Sequence, residues 1–424
     1  MIANFFSKIR IIITDPSLRR RVLFVLIILA LFRLGSSVPI PGVDEAALAR
    51  FFSGNQFFGL LNVFSGGGLA NLSILMLGVG PYITASIVMQ LLTIMFPSLK
   101  RIYHEEGEAG RRKFIQYSRL LTIPLAIIQG FGLLALLENQ GVIVHLTMLA
   151  RLFNVVTVVA GSVLLMWLGE LVSEYGIGNG VSMIIMAGIL ASMPAAAGSI
   201  LVNFDAGQLP IYIASLVAIV AIVAGVVVIT EAERPVPVTY AKRVRGNKIY
   251  GGMSTYLPIR LNQAGVMPII FALSILLFPQ MIATLLTRFD NAIITGVSDF
   301  VLAVLNNSWL YAAIYFVLVF AFTFFYSAIT FDPESMSENL QKSGAFIPGI
   351  RPGRTTAAYI AKILYRLTFI GALFLGVVAM LPLIMQAITG IAALAIGGTA
   401  LLIVVSVILE FDKQIEGQLS MREY

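Results

Sequence analysis

Ten apolar runs, each near the roughly 20 residues that an α-helix needs to cross a bilayer, constrain this chain more than any other feature. They fall at about 22–40, 73–96, 115–137, 152–173, 181–202, 211–230, 265–287, 308–331, 366–387 and 391–410. The rest of the chain does not dilute them: 58% of the 424 residues are hydrophobic, 12% are charged, and the mean hydropathy is +0.94. This is the composition of an all-α polytopic membrane protein, and ten spans place both termini on one side. Arg19, Arg20 and Arg21 precede the first run in the manner of a signal peptide. Nine further runs follow, so it reads as an uncleaved first span.

Orientation follows from the cations, because cytoplasmic loops retain Lys and Arg. Of 28, five lie in residues 1–21, six in 97–119, six in 231–263, five in 332–366 and two after Glu410. Only Arg33, Arg50, Arg151 and Arg288 fall within or beyond the opposite ends of spans. The basic side is therefore expected to be the cytoplasm, and the net charge of +7 belongs to that face.

The stretch from Leu60 to Met95 departs from a plain hairpin of spans. Residues 60–72 are apolar but too short to cross, and Gly78, Gly80 and Pro81 interrupt the outer half of the run that follows. Such a chain is tolerated at membrane depth only where protein or a water-filled cavity surrounds it, which predicts a pore with a small re-entrant element seated in it. An outer loop leading into a Pro-kinked span is the alternative.

Chemistry is restricted by what is missing. There is no cysteine, and His104 and His145 have no neighbours at metal-ligand spacing. Glu170, Glu174, Glu231, Glu233, Glu410 and Asp412 lie near the cytoplasmic ends of spans, so no mid-span carboxylate is available for ion coupling. Arg33 is expected to snorkel toward the outer interface. No catalytic residue, metal site or cofactor is expected. A small-solute secondary transporter would need directed polar groups at mid-span, and an intramembrane hydrolase would need a nucleophile or paired acids there.

Gly78-Val79-Gly80-Pro81 in the second run and Gly265-Val266-Met267-Pro268 in the seventh share the pattern G-V-x-P. Matching breaks in two five-helix halves of opposite orientation point to a site between the halves, with a shared need for a kink as the alternative. The halves are residues 22–202 and 203–410, flanked by a segment at 1–21 and a tail at 411–424. Two cytoplasmic loops are larger than topology requires. Loop 231–263 alternates β-branched and aromatic residues about Gly246-Asn247, the pattern of a protruding β-hairpin with a basic tip at Lys242, Arg243, Arg245 and Lys248. That array suits phosphate or an acidic protein surface, or is simply a solvated positive-inside loop. Loop 332–365 opens with a helix capped near Asp332 to Ser335. It then runs through a Gly/Pro-punctuated segment carrying Arg351 and Arg354, and Thr355 or Thr356 is placed to cap the next helix.

Six separated stretches carry a resemblance: FRLGSSVPIPGVD at 32–44, NVFSGGGLANLSILMLGVGPYITASIVMQLLT at 62–93, GIGNGVS at 176–182, STYLPIRLNQAGVMPIIFA at 254–272, KSGAFIPGIRPGRT at 342–355 and LLIVVSVILEFDKQ at 401–414. The chain resembles the SecY/Sec61-alpha family of protein-translocation channel subunits over essentially its whole length. Its tail after Gln414 is shorter than in longer members, and Asn247 stands where some members carry a basic residue. The resemblance implies two pseudo-symmetric inverted halves around a central pore, with residues 60–72 as a plug half-helix carrying Asn62, Phe64, Ser65, Gly66, Gly67, Gly68 and Leu69. It implies a pore ring of Val79, Ile83, Ile185, Ile189, Ile270 and Ile403. An apolar constriction dewets and blocks ions yet yields around a polypeptide. It further implies a lateral gate between spans two and three and spans seven and eight, closed by hydrogen bonds from Thr84, Ser86, Gln90 and Ser274. A SecA motor or a ribosome would dock on Lys242, Arg243, Arg245, Lys248, Arg351 and Arg354. SecE-like and SecG-like small subunits, preproteins with signal sequences and membrane lipid complete the implied partners, and the location is the bacterial plasma membrane.

Overall fold

A computed structural model describes residues 14–41, 48, 62, 65–69, 71–104, 106–139, 141–143, 147–202, 207, 209–240, 243–245, 248–250, 254–286, 292–389 and 392–420. The helices are α1 (Pro16–Ser36), α2 (Gly80–Met95), α3 (Pro97–His104), α4 (Gly107–Asn139), α5 (Met148–Tyr175), α6 (Gly180–Val202), α7 (Leu209–Glu231), α8 (Met267–Leu286), α9 (Ala292–Asn306), α10 (Ser308–Thr330), α11 (Pro333–Lys342), α12 (Arg354–Thr389) and α13 (Ala392–Ser420). Strands β1 (Glu233–Tyr240), β2 (Arg243–Arg245), β3 (Lys248–Tyr250) and β4 (Ser254–Arg260) lie between α7 and α8, and β5 (Ala345–Phe346) follows α11. Every expected apolar run carries a helix. Among the described residues five segments, beginning at Gly107, Met148, Leu209, Ser308 and Arg354, are long and apolar enough alone to cross a bilayer, and α2 passes only together with α3, against which it bends by 117°. Helix α3 is polar, and α9 is apolar but too short to cross a bilayer.

The first two runs are helical over less of their length than expected. Asp15 caps α1 by accepting from the Ser17 amide at 2.9 Å, and Pro16 occupies the first turn, where a missing N–H costs nothing. Helix α1 stops at Ser36, just before Pro39, which disfavours helical backbone at the residue ahead of it. Residues 38–40 then run extended against 72–74: the Ile40 N–H donates to the Leu72 carbonyl at 2.9 Å and the Ile74 N–H to the Val38 carbonyl at 3.0 Å. Residues 71–79 are turns apart from Ser73, which bridges to Pro39, so the second run is helical only from Gly80 onward.

The two G-V-x-P sequences are helix starts rather than mid-helix breaks. Gly78 (φ +58°) and Gly265 (φ +61°) adopt left-handed backbone, and in each case the helix begins two residues later with proline as its second residue. Left-handed backbone strains any residue with a Cβ, and proline tolerates only the first turn, so the shared pattern encodes one helix entry used twice.

On the basic side, β1 pairs antiparallel with β4 from Glu233↔Arg260 to Thr239↔Ser254, and β2 pairs with β3, ending at Arg245↔Lys248. That register is the expected hairpin; Gly246 and Asn247 lie outside the described residues. Strand β5 adds to the other edge of β1, which joins the two large loops in one sheet. Val236, Val238 and Ile259 alternate inward and pack on Ile360, Ile363 and Leu364 of α12.

Asp332 caps α11, accepting from the Glu334 amide at 3.0 Å and the Ser335 hydroxyl at 2.8 Å. Partial burial pushes its carboxyl up, but these hydrogen bonds and the nearby Lys100 ammonium outweigh burial and hold it below the ordinary value. A folded pKa below the unfolded one means the cap stabilises fully above about pH 4 and fades as pH falls through the lowered value. Asp332→Ala is expected to cost about 1 kcal/mol locally, raising amide exchange in residues 333–342 about fivefold at pH 7. Asp332→Asn should keep much of the cap and lose its acid dependence, so exchange at low pH separates the two.

Candidate pore, plug seat and gate

The six ring residues come from four elements: Val79 caps the start of α2, Ile83 lies one turn on, Ile185 and Ile189 are on α6, Ile270 on α8 and Ile403 on α13. All six are buried and belong to one apolar cluster that joins the two halves of the chain. A sequence of isolated isoleucines does not announce their burial in one cluster, since packing between helices creates it.

The plug is described at Asn62 and Ser65 to Leu69; Phe64 lies outside the described residues. Residues 65–69 form turns instead of the expected continuous half-helix, and Gly66 (φ +68°) and Gly67 (φ +83°) are left-handed. The Ser65 hydroxyl donates to the Asn62 carbonyl at 3.0 Å and accepts the Leu69 N–H at 2.9 Å, which stands in for the missing helical ladder. The seat is built by absent side chains. A Cβ on Gly66 would collide with the Phe32 ring, and one on Gly188 of α6 would collide with the Gly66 backbone. Gly188 directly precedes Ile189, so the Gly66 turn touches α6 next to a residue expected in the ring. Arg33 is exposed with its guanidinium beside Gly67, consistent with a charge that reaches the outer surface.

The residues expected at the gate, Thr84, Ser86, Gln90 and Ser274, lie on α2 and α8. The Thr84 hydroxyl donates to the Gly80 carbonyl of its own helix at 2.9 Å and accepts from Gln129 of α4 at 3.4 Å. The Ser274 hydroxyl donates to the Ile270 carbonyl of its own helix at 2.9 Å. Gln90 keeps a buried Oε1 without a partner. These bonds run within each side of the seam and do not bridge it. Helix α8 instead meets α2 and α4 through apolar side chains such as Ile83 and Phe271. On the basic side the seam opens into a cavity of about 410 Å³ lined by Ser86, Gln90, Arg119, Glu170, Met267 and Phe271. Arg119 and Glu170, 2.7 Å apart, pair across α4 and α5 at its wall. Sequence reasoning missed this pair, because 51 residues separate its members and only the helix crossing joins them.

The basic loops divide in the same way. Arg351 is exposed on a loop held by left-handed Gly349 and Gly353, and exposed Arg354 is the first residue of α12. Thr355 and Thr356 donate to the Arg351 carbonyl at 3.0 and 2.9 Å instead of capping α12, and Ser337 of α11 holds the Gly353 carbonyl at 2.8 Å. Arg243, Arg245 and Lys248 stand on the paired strands β2 and β3, with only their backbone described, and Lys242 lies outside the described residues. Among the described residues no three His, Cys, Asp or Glu side chains gather at metal-binding distance, and His145 lies outside them.

The architecture is that of a polytopic helical membrane channel. It aligns with a solved structure described as "The structure of a protein conducting channel" at TM-score 0.63 and 19% identity, covering 93% of this chain and 91% of that one. It aligns likewise with "Sec61 in the Canine ribosome-channel complex from the endoplasmic reticulum" at TM-score 0.59, 18% identity and the same coverage. The chain belongs to the SecY family, whose profile matches residues 73–411. Protein translocase subunit SecY of Halalkalibacterium halodurans is 44% identical over 430 residues, covering 99% of each chain. Protein translocase subunit SecY of Corynebacterium glutamicum is 42% identical over 434 residues, covering 97% of each.

Because the plug rests on a glycine surface, Gly188→Val is expected to unseat it. A backbone collision costs about 1–3 kcal/mol, so labelling of a Leu69→Cys reporter from the aqueous side should rise about tenfold or more. Gly198→Val on the same helix meets open space and should leave labelling unchanged.

Proposed function

We propose that this chain is the pore-forming subunit of a protein translocase. Unfolded secretory polypeptides pass through an hourglass pore across the bacterial plasma membrane, and hydrophobic segments leave sideways between α2/α4 and α8/α10 into lipid. The observation that carries the reading is the convergence of Val79, Ile83, Ile185, Ile189, Ile270 and Ile403 in one buried cluster, with the Gly66 turn seated against α6 beside it. An apolar waist excludes ions by dewetting and deforms around side chains of any sequence, and a polar one would leak. A structural neighbour of 19% identity is described in the words "The plug domain of the SecY protein stablizes the closed state of the translocation channel and maintains a membrane seal", which supports the same role for residues 60–72 here.

In this reading the ten helical runs are ten spans in two inverted halves, both termini lie in the cytoplasm, and the protein carries out no bond chemistry and holds no cofactor. Energy comes from a partner on the basic loops, either a SecA motor or a ribosome; the canine Sec61 neighbour is named in a ribosome complex. Arg351 is the first contact, since hydroxyls fix its backbone while its side chain faces solvent, and Arg243, Arg245, Lys248, Lys242 and Arg354 extend the surface. Small single-span subunits brace the side opposite the gate.

Single-channel conductance of the purified complex in planar bilayers tests the pore. The intact chain should be silent, and deletion of residues 60–72 should give large, poorly selective openings. Silence of both forms together with stoichiometric carriage of a small solute and an ion would establish the transporter instead. For docking, Arg351→Glu is expected to lower motor-driven or ribosome-driven translocation about tenfold while leaving the channel closed and folded. Unchanged translocation and partner affinity would remove Arg351 from the interface.

A further inference from the structure

We propose that α9 is a membrane-interface helix, its apolar stripe immersed in the lipid leaflet on the side opposite the basic loops. Neither hydropathy nor the channel reading assigns this element a role, and the inference rests only on the chain being a membrane protein. With 15 residues, α9 rises about 22 Å, short of the roughly 30 Å hydrocarbon core, so it does not cross. Its place is set by its neighbours. Helix α8 starts just after Arg260 on the basic side and runs away from it, α10 returns, and α9 packs on both at their far ends.

The two faces of α9 are unlike. Ile293, Val297 and Phe300 are 78%, 57% and 70% exposed, and their spacing of four and three puts them in one stripe. On the inner side Ser298 is 1% exposed and donates its hydroxyl to the Ile294 carbonyl at 2.9 Å, while Leu305 packs against the main apolar cluster. Asp299 is exposed and stands roughly 120° round the helix from the centre of the stripe. A charge on the flank and large apolar groups at the centre are the arrangement of a helix lying at a lipid surface, with the carboxylate turned to water. Lipid is the occupant favoured by continuity. The helix is followed at once by exposed Trp309 and Leu310 at the start of α10, so the stripe extends the apolar belt that α10 presents to the bilayer, with an indole at the level of the interface.

The absence of native cysteine allows a direct test without altering the background. Single cysteines at positions 293, 297, 300 and 299 are nitroxide-labelled in the purified complex, reconstituted in phosphatidylethanolamine/phosphatidylglycerol vesicles. Collision rates are measured with oxygen, which concentrates in lipid, and with a water-soluble nickel chelate. The expected result is that oxygen collisions exceed nickel collisions by about threefold or more at 293, 297 and 300, with the order reversed at 299. Equal nickel access at all four sites would place the stripe in water and overturn the proposal. So would labels at 293, 297 and 300 that are immobilised and shielded from both reagents, the sign of a protein partner on this face. Retained translocation activity shows that each variant is folded.

Discussion

The structure depends on one constraint, that non-helical backbone at membrane depth must find every hydrogen-bond partner inside the protein. In hydrocarbon each unsatisfied group costs several kcal/mol, so the irregular strap from Ser65 to Val79 can exist only where other elements complete it. Residues 38–40 supply one edge through their pairing with 72–74. The Ser73 hydroxyl donates to the Gly68 carbonyl at 3.1 Å, and the Ser162 hydroxyl of α5 donates to the Gly78 carbonyl at 3.0 Å. The strap in turn dictates the helices around it: α5 must approach closely enough that a Cβ on Gly161 would collide with the Ile74 carbonyl, and α6 must carry glycine at 188.

A second consequence concerns the seam between the halves. Lipid tails are as apolar as isoleucine, so no hydrophobic force holds two apolar helix faces together in a membrane, and van der Waals fit alone closes them. Thr84 and Ser274 donate their hydroxyls within their own helices, so these bonds do not tie the faces together. The basic loops are built on the opposite principle. There a sheet, a capped helix and three left-handed glycines (Gly344, Gly349 and Gly353) shape the backbone, and the sheet packs on Ile360, Ile363 and Leu364 of α12.

Local features were legible wherever a residue type has one physical meaning. The hairpin about Gly246-Asn247, the Asp332 cap and the apolar runs all follow from nearest-neighbour chemistry, and the structure carries β1 to β4, α11 and the helices at those places. Misreadings arose where one residue type has several outlets. A threonine at a helix start can cap it or bond backward, and Thr355 and Thr356, which lie inside the first turn of α12, bond backward to the Arg351 carbonyl. A Gly/Pro pair in an apolar run can kink a helix or start one, and the left-handed Gly78 and Gly265 start theirs. Helix α9 escaped notice because its apolar residues are too few for a span.

The sequence by itself determined that the chain lives in a bilayer, which loops are basic, and where its ten apolar helices and its hairpin lie. Those properties depend on composition, on short-range sterics and on the charge of neighbouring residues. Only the tertiary structure decided that six aliphatic residues on four separate elements are buried in one apolar cluster, that Gly66 rests on Gly188, and that Arg119 meets Glu170. An isoleucine suits lipid, a helix contact or a pore equally well, and the choice among them is made by which helices pack together, a long-range property that no local stretch of sequence contains.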